Sequence, residues 1–229
     1  MEEIKVLKLG NGDYEEVFML MKNLQKKRIE NKITDTMIIV EHEEIVTIGP
    51  KARRDKVLVS NYPTFQTDRG GGITWHGPGQ LVIYPIIKWK PEEQSVRKII
   101  SRLEDWSISS LRLCGIEAYK NDKMQGIWVD GYKIGSIGLS FLKWVSRHGL
   151  SINIDTPGMR VEELEGCGLD AGIHTSLKKL GYDRDLSGRK LDLDRFGGAF
   201  IDTCQEVLDR NPIFEDNNVL RSNDVAPEK

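Results

Sequence analysis

The chain has 229 residues, 39% apolar and 30% charged, with a formal net charge of −2. Such a chain can bury a sizeable core without staples, and its balance is that of an ordinary soluble protein; a generic nucleic-acid binder would be strongly basic. No apolar run approaches the roughly 18 residues that span a bilayer, and the acidic start MEEIKVLKLG lacks the regions of a signal peptide, so the expectation is one cytoplasmic domain over residues 1–229.

In chain order, IKVLKLG reads as a first strand. Asp13 with Glu16 resembles a capping box, and Tyr14, Val17, Phe18, Met21 and Leu24 follow at helical spacing. TMIIVEH and EIVTIG are β-branched runs around a short polar turn. GPKARRDK reads as a basic loop, and QLVIYPIIKW as a strand beyond a glycine-rich segment. Val96, Ile99, Ile100, Leu103 and Trp106 form one face of a helix that Gly115 is placed to stop. In GIWVDGYKIGSIGLSF, Asp130-Gly131 is a two-residue hairpin signal, and VSRHGLSINID is the next strand. Phe196, Phe200, Cys204, Val207 and Leu208 mark a last amphipathic helix, and a loose tail is expected after about residue 211. Strands in long antiparallel runs with few helices indicate an α+β class with a mixed, largely antiparallel sheet. Regular strand–helix alternation is missing.

Three stretches carry candidate chemistry. In RGGGITWHGPGQ five glycines accompany Arg69, Thr74 and His76. Glycine admits close approach to the backbone, so Gly70, Gly71 and Gly72 leave N–H groups unshielded. That favours a binding wall over an ordinary turn. The stretch is neither a phosphate-binding P-loop nor a dinucleotide fingerprint. Lys133 sits in an apolar strand followed by Gly135 and Gly138. The plain reading is a solvated edge residue; the functional one is a lysine held against a ligand or a thiol. Cys167 lies between Gly166 and Gly168, outside any apolar run, whereas Cys114 and Cys204 read as core. An approachable thiol beside a positive charge is a candidate nucleophile. Of the four histidines, His76 and His148 occupy glycine-rich strands and are the site candidates, while His42 and His174 read as satisfied polar residues. Their spacing gives no metal motif.

Taken together, RGGGITWHGPGQLVIYPI, GIWVDGYKIGSIG, HGLSIN and GCGLDAGIHTSL resemble, in order, the motifs of the lipoyl(octanoyl) transferase family. EHEEIVTIGPKARRDKVL resembles its early strand pair. The likeness runs from about Glu41 to Leu177. It implies a fold like the biotin and lipoate protein ligase catalytic domain. It also implies transfer of an octanoyl group from octanoyl-acyl carrier protein to a lysine of a lipoyl domain, without cofactor or metal. The implied acceptors are the lipoyl domains of 2-oxoacid dehydrogenase complexes and the glycine cleavage H protein; nucleic acid and membrane are not implied partners. In this reading Cys167 is the acyl-accepting nucleophile and Lys133 its partner. Arg69, Gly70, Gly71, Gly72, Ile73, Thr74, Trp75 and His76 line the acyl pocket with Ser136, Ile137, Gly138, Gly149, Leu150 and Ser151. Gly166, Trp75 and Ser151 depart from the family pattern, which bears on pocket shape and loop stiffness. The rival from the same fold is an ATP-dependent lipoate or biotin protein ligase. A cysteine hydrolase and a non-catalytic acyl-binding protein are further alternatives.

Overall fold

A computed structural model describes residues 2–59, 61–122, 124–158, 160–161 and 172–214. The first segment is β1 (Glu2–Gly12), followed by α1 (Tyr14–Ile29) and β2 (Asp35–His42). The Asp13 carboxylate accepts from the Glu16 N–H at 3.0 Å, which caps α1 as its sequence suggests. Next come β3 (Ile45–Ile48), the short α2 (Pro50–Arg54), β4 (Thr64–Gln66), β5 (Ile73–His76) and β6 (Gln80–Ile86). Helix α3 (Val96–Leu113) begins at the Ser95 cap and runs to Gly115, whose φ of +82° suits a glycine stop. The hairpin β7 (Ile127–Val129) and β8 (Tyr132–Leu142) turns at Asp130-Gly131, with φ +49° and +85°. Strand β9 (Val145–Asn153), α4 (Leu193–Leu208) and β10 (Arg210–Ile213) complete the fold.

The large sheet has the order β10-β1-β2-β6-β9-β8-β7. Its β10-β1-β2 edge is parallel and the rest is antiparallel. Strands β2 and β6 are central and covered on both faces, so they read as continuous apolar runs. On β2, Met37 and Ile39 face α3 and α4, while Ile38 and Val40 face α1. On β6, Leu81 and Ile83 take the first face, and Val82, Tyr84 and Ile86 the second. The Trp106 ring meets Phe200 edge-on at 4.9 Å, joining α3 to α4.

Three details differ from the sequence reading. Strand β3 does not pair with β2; it forms a separate sheet of order β4-β3-β5. The basic loop contains α2, whose Gly49 and Lys51 N–H groups donate to the carbonyls of Gly72 and Gly71. Residues 210–213 are a paired edge strand, so regular structure extends past the point where a tail was expected. Among the described residues no helix is long and apolar enough to cross a membrane.

Candidate functional site

The two sheets and α1 border one cavity that opens to solvent. Arg69, Thr74 and His76 line it from the small-sheet side. Ser136, Ile137 and Gly138 line it from β8, and Gly149, Leu150 and Ser151 from β9. Three segments far apart in sequence therefore meet at one place. They do so because β8 pairs with β9, setting Ser136 opposite Ser151 and Gly138 opposite Gly149. The Gly70 N–H donates to the Leu139 carbonyl at 2.9 Å, which fastens the glycine segment to β8. That N–H was expected to be open to a ligand and is instead part of the scaffold. Gly149 has a steric reason to be glycine: a Cβ there would stand 1.9 Å from the Ile83 carbonyl oxygen.

Tyr14, Val82, Tyr84 and His148 complete the lining. Tyr14 and Tyr84 read in the sequence as ordinary helix and strand residues; only their aromatic bulk hinted at more. Gly70, Gly71, Gly72, Ile73 and Trp75 are not among the lining residues. Trp75 packs instead with Val46 and Val161, and its indole N–H donates to Glu44 at 3.2 Å.

Hydrogen bonding fixes the protonation of three buried histidines. His42 Nδ1 lies 2.8 Å from the Gly12 carbonyl, which only accepts, so Nδ1 carries a proton. With His42 neutral, Nε2 accepts from the Tyr84 hydroxyl at 2.8 Å. His76 Nδ1 lies 2.7 Å from Gln80 Oε1. Gln80 Nε2 is engaged by the Trp75 carbonyl and by Asn153 Oδ1, so Oε1 accepts and Nδ1 donates. His148 Nε2 donates to Asp68 Oδ1 at 2.8 Å. His148 Nδ1 is buried and has no partner among the described residues. His148 also holds φ +62°, an uncommon conformation for a non-glycine residue and one concentrated at functional sites.

Burial is the main force lowering all three histidine pKa values. For His76, the neighbouring His42, Arg69 and His148 add to it. For His148, burial outweighs Asp68, whose own carboxyl is held well below the usual range first by the His148 hydrogen bond and then by Arg147. The cavity thus has neutral imidazoles, with charge in its wall at Arg69. That guanidinium is buried and donates to the Thr47 carbonyl and hydroxyl, at 2.9 and 2.8 Å.

Lys133 lies further along β8 and is 8% exposed, so it is not a solvated edge residue. A Cβ at Gly126 would stand 2.5 Å from Lys133 Cε, so this glycine makes room for the lysine stem. The Lys133 backbone is stitched to residues 173–175: its N–H donates to the Ile173 carbonyl, and its carbonyl accepts from the Thr175 N–H. Cys167 lies outside the described residues. Cys114 and Cys204 are buried free thiols, and burial pushes them up to about 11 and about 12, so both match the core reading.

Residues 13–196 match the model of the lipoyl protein ligase A/B catalytic domain. The chain belongs to that family. Octanoyltransferase of Rickettsia canadensis is 38% identical over 183 residues, covering 76% of this chain and 88% of its own. Octanoyltransferase of Syntrophobacter fumaroxidans is 35% identical over 193 residues, 81% of this chain and 84% of its own. Among solved structures, lipoate-protein ligase A bound with ATP aligns with a TM-score of 0.67 at 13% identity, over 95% of this chain and 90% of that one. A bipartite lipoate protein ligase from Thermoplasma acidophilum aligns at 0.61 and 14%, over 95% and 88%. The mixed α+β fold is therefore that of the lipoate ligase catalytic domain, and this family member is an acyltransferase.

Proposed function

We propose that the protein transfers an octanoyl group from octanoyl-acyl carrier protein to a lysine of lipoyl domains, through a thioester on Cys167. One observation carries this reading: Arg69, Thr74 and His76 converge with segments 136–138 and 149–151 on one cavity with apolar walls at Val82, Ile137 and Leu150. The octanoyltransferase relatives supply the acyl length.

In the first step the Cys167 thiolate attacks the donor's thioester carbonyl. The carrier thiolate leaves with the proton of charged Lys133, which becomes neutral, and the acyl group remains on Cys167. In the second step the acceptor's amine attacks that thioester. Its proton passes to Lys133 in its neutral form, and Cys167 leaves as the thiolate. One thioester is exchanged for another and then for an amide, so no nucleotide is required. The lysine of a 2-oxoacid dehydrogenase lipoyl domain or of the glycine cleavage H protein is the acceptor.

The test is to mix the protein with octanoyl-acyl carrier protein and an unmodified lipoyl domain without nucleotide. Octanoylated domain is the expected product. Transfer only from free octanoate with ATP would identify a ligase instead, and free octanoate formed at the catalytic rate would identify a hydrolase.

A further inference from the structure

Gln80 lies at the start of β6, is 2% exposed and does not line the cavity. Its amide is nonetheless fully committed. Oε1 accepts from His76 Nδ1 at 2.7 Å, and Nε2 donates to the Trp75 carbonyl at 3.2 Å and to Asn153 Oδ1 at 2.8 Å. Asn153 in turn donates through Nδ2 to the Thr175 carbonyl at 3.0 Å. Thr175 donates its N–H to the Lys133 carbonyl at 3.1 Å. A continuous chain of oriented bonds therefore joins a cavity histidine to the strand that carries Lys133.

The direction of each bond is forced. The Trp75 and Thr175 carbonyls can only accept, so each amide must turn its NH₂ toward one of them. That leaves Gln80 Oε1 facing His76, which must donate from Nδ1. The remaining ring nitrogen, Nε2, is then an uncharged lone pair on a residue that lines the cavity. The ring is also held in plane: Tyr14 stacks on it with centroids 5.8 Å apart and an interplanar angle of 16°. An acyl chain offers no hydrogen-bond donor. The amine that arrives in the second step does.

We infer that Gln80 is a positioning residue. It fixes His76 in the Nδ1–H tautomer, so that Nε2 accepts an N–H of the incoming amine, and with Asn153 it ties that orientation to the Lys133 strand. The chemical role rests on the octanoyl-transfer reading; the tautomer does not.

The experiment has two readouts. Nitrogen-15 NMR of the intact wild-type protein at pH 7.5, with histidine ring nitrogens labelled, should show His76 protonated at Nδ1. An Nε2–H tautomer there overturns the proposal without any substitution. In Gln80→Met, which keeps the shape and removes both partners, the Nε2–H form should appear. Deacylation of the octanoyl-enzyme by a lipoyl domain should slow by about ten- to a hundredfold, while kcat/KM for octanoyl-acyl carrier protein, which reports acylation alone, changes less than about twofold. Asn153→Leu should shift the tautomer in the same direction. The double variant should be no slower than Gln80→Met alone, because both act through one chain. An unchanged tautomer in folded Gln80→Met, losses that simply multiply, or an effect confined to KM would each overturn it. Absence of octanoyl transfer in the wild type would sink the functional reading, and the NMR result would still decide the tautomer.

Discussion

At the edge of the large sheet Arg210 is wholly buried, bonded to Asp35 at 2.9 Å and to Glu93 at 2.9 Å. At the cavity His76 and His148, and His42 bonded to the lining Tyr84, are almost as deeply buried, and burial holds them neutral. The first region keeps its charges and partners them thoroughly. Asp35 also accepts from Arg28 and from the Lys88 N–H, and Arg102 bonds to Glu93. The second region keeps its imidazoles uncharged and leaves an open valence, the Nδ1 of His148, which has no partner among the described residues. Buried polar groups that are saturated belong to the fold; those left with a free lone pair beside a cavity are available to a ligand.

The largest effect expected from breaking this contrast is at Arg210. Arg210→Met takes from buried Asp35 and from partly buried Glu93 one of the two guanidinium partners each has, which should cost about 3–5 kcal/mol. Denaturant unfolding measures it, and kcat of the remaining folded protein should be little changed. A loss below about 1 kcal/mol would mean that the cluster is not the structural element described.

Next in size is Lys133. Lys133→Ala should lower turnover by about 10²-fold and slow iodoacetamide alkylation of Cys167 near neutral pH. Lys133→Arg should restore the alkylation rate but not turnover, since arginine supplies the charge and cannot accept the proton. Equal alkylation pH profiles in wild type and Lys133→Ala would refute the coupling.

Acid should separate the two regions by pH window. The folded histidines titrate below the ordinary value of 6.5, so below that pH the unfolded chain binds more protons. Stability therefore declines as pH falls from about 6.5. Burial acts to raise the Glu93 carboxyl, but Arg210, the Lys90 N–H and Arg102 overcome it and hold it at about 2, against an ordinary 4.5. Its contribution is full above 4.5 and is lost as pH falls toward 2. After discounting for solvent it is worth roughly 1 kcal/mol. Urea midpoints of wild type and Glu93→Gln should thus run parallel between pH 6.5 and 5, with wild type the higher, and converge only below 4.5. An offset that changes in the upper window would contradict the assignment.

The smallest effect concerns the surface. The basic stretch GPKARRDK carries Lys51, Arg53, Arg54 and Lys56, charges suited to an acidic carrier protein. The Arg53 guanidinium is occupied, donating to the Ile48 and Thr67 carbonyls at 2.8 and 2.7 Å. Lys51→Glu with Arg54→Glu therefore tests docking without cutting that support. It should raise KM for octanoyl-acyl carrier protein by about two- to fivefold at low salt and by less at high salt. A small octanoyl thioester should be unaffected; equal losses with both donors would mean that the pocket or fold was disturbed.

The strands, the Asp130-Gly131 hairpin and the caps of α1 and α3 were legible because each follows a local rule of periodicity or turn chemistry. The turn at Lys143-Trp144 was not, since both residues take positive φ, +49° and +58°, without glycine. The second sheet was hidden because nothing local tells β3 to leave β2 and pair with β4 and β5. At the site, Arg69, Thr74, His76 and the 136–138 and 149–151 segments of the motifs line the cavity. Tyr14 and Tyr84 were missed because their place depends on how α1 and β6 pack, which no spacing records. Gln80 sat in view within HGPGQ, yet its role appears only when the bonds to His76 and Asn153 are traced.

The central claim is that an acyl thioester forms on Cys167, and peptide mapping by mass spectrometry tests it most directly. The protein is mixed with octanoyl-acyl carrier protein, quenched in acid and digested. One octanoyl group should be found on the peptide containing Cys167, labile to hydroxylamine, and absent from Cys167→Ser. An adduct on Cys114 or Cys204, or turnover retained by Cys167→Ser, would contradict the account.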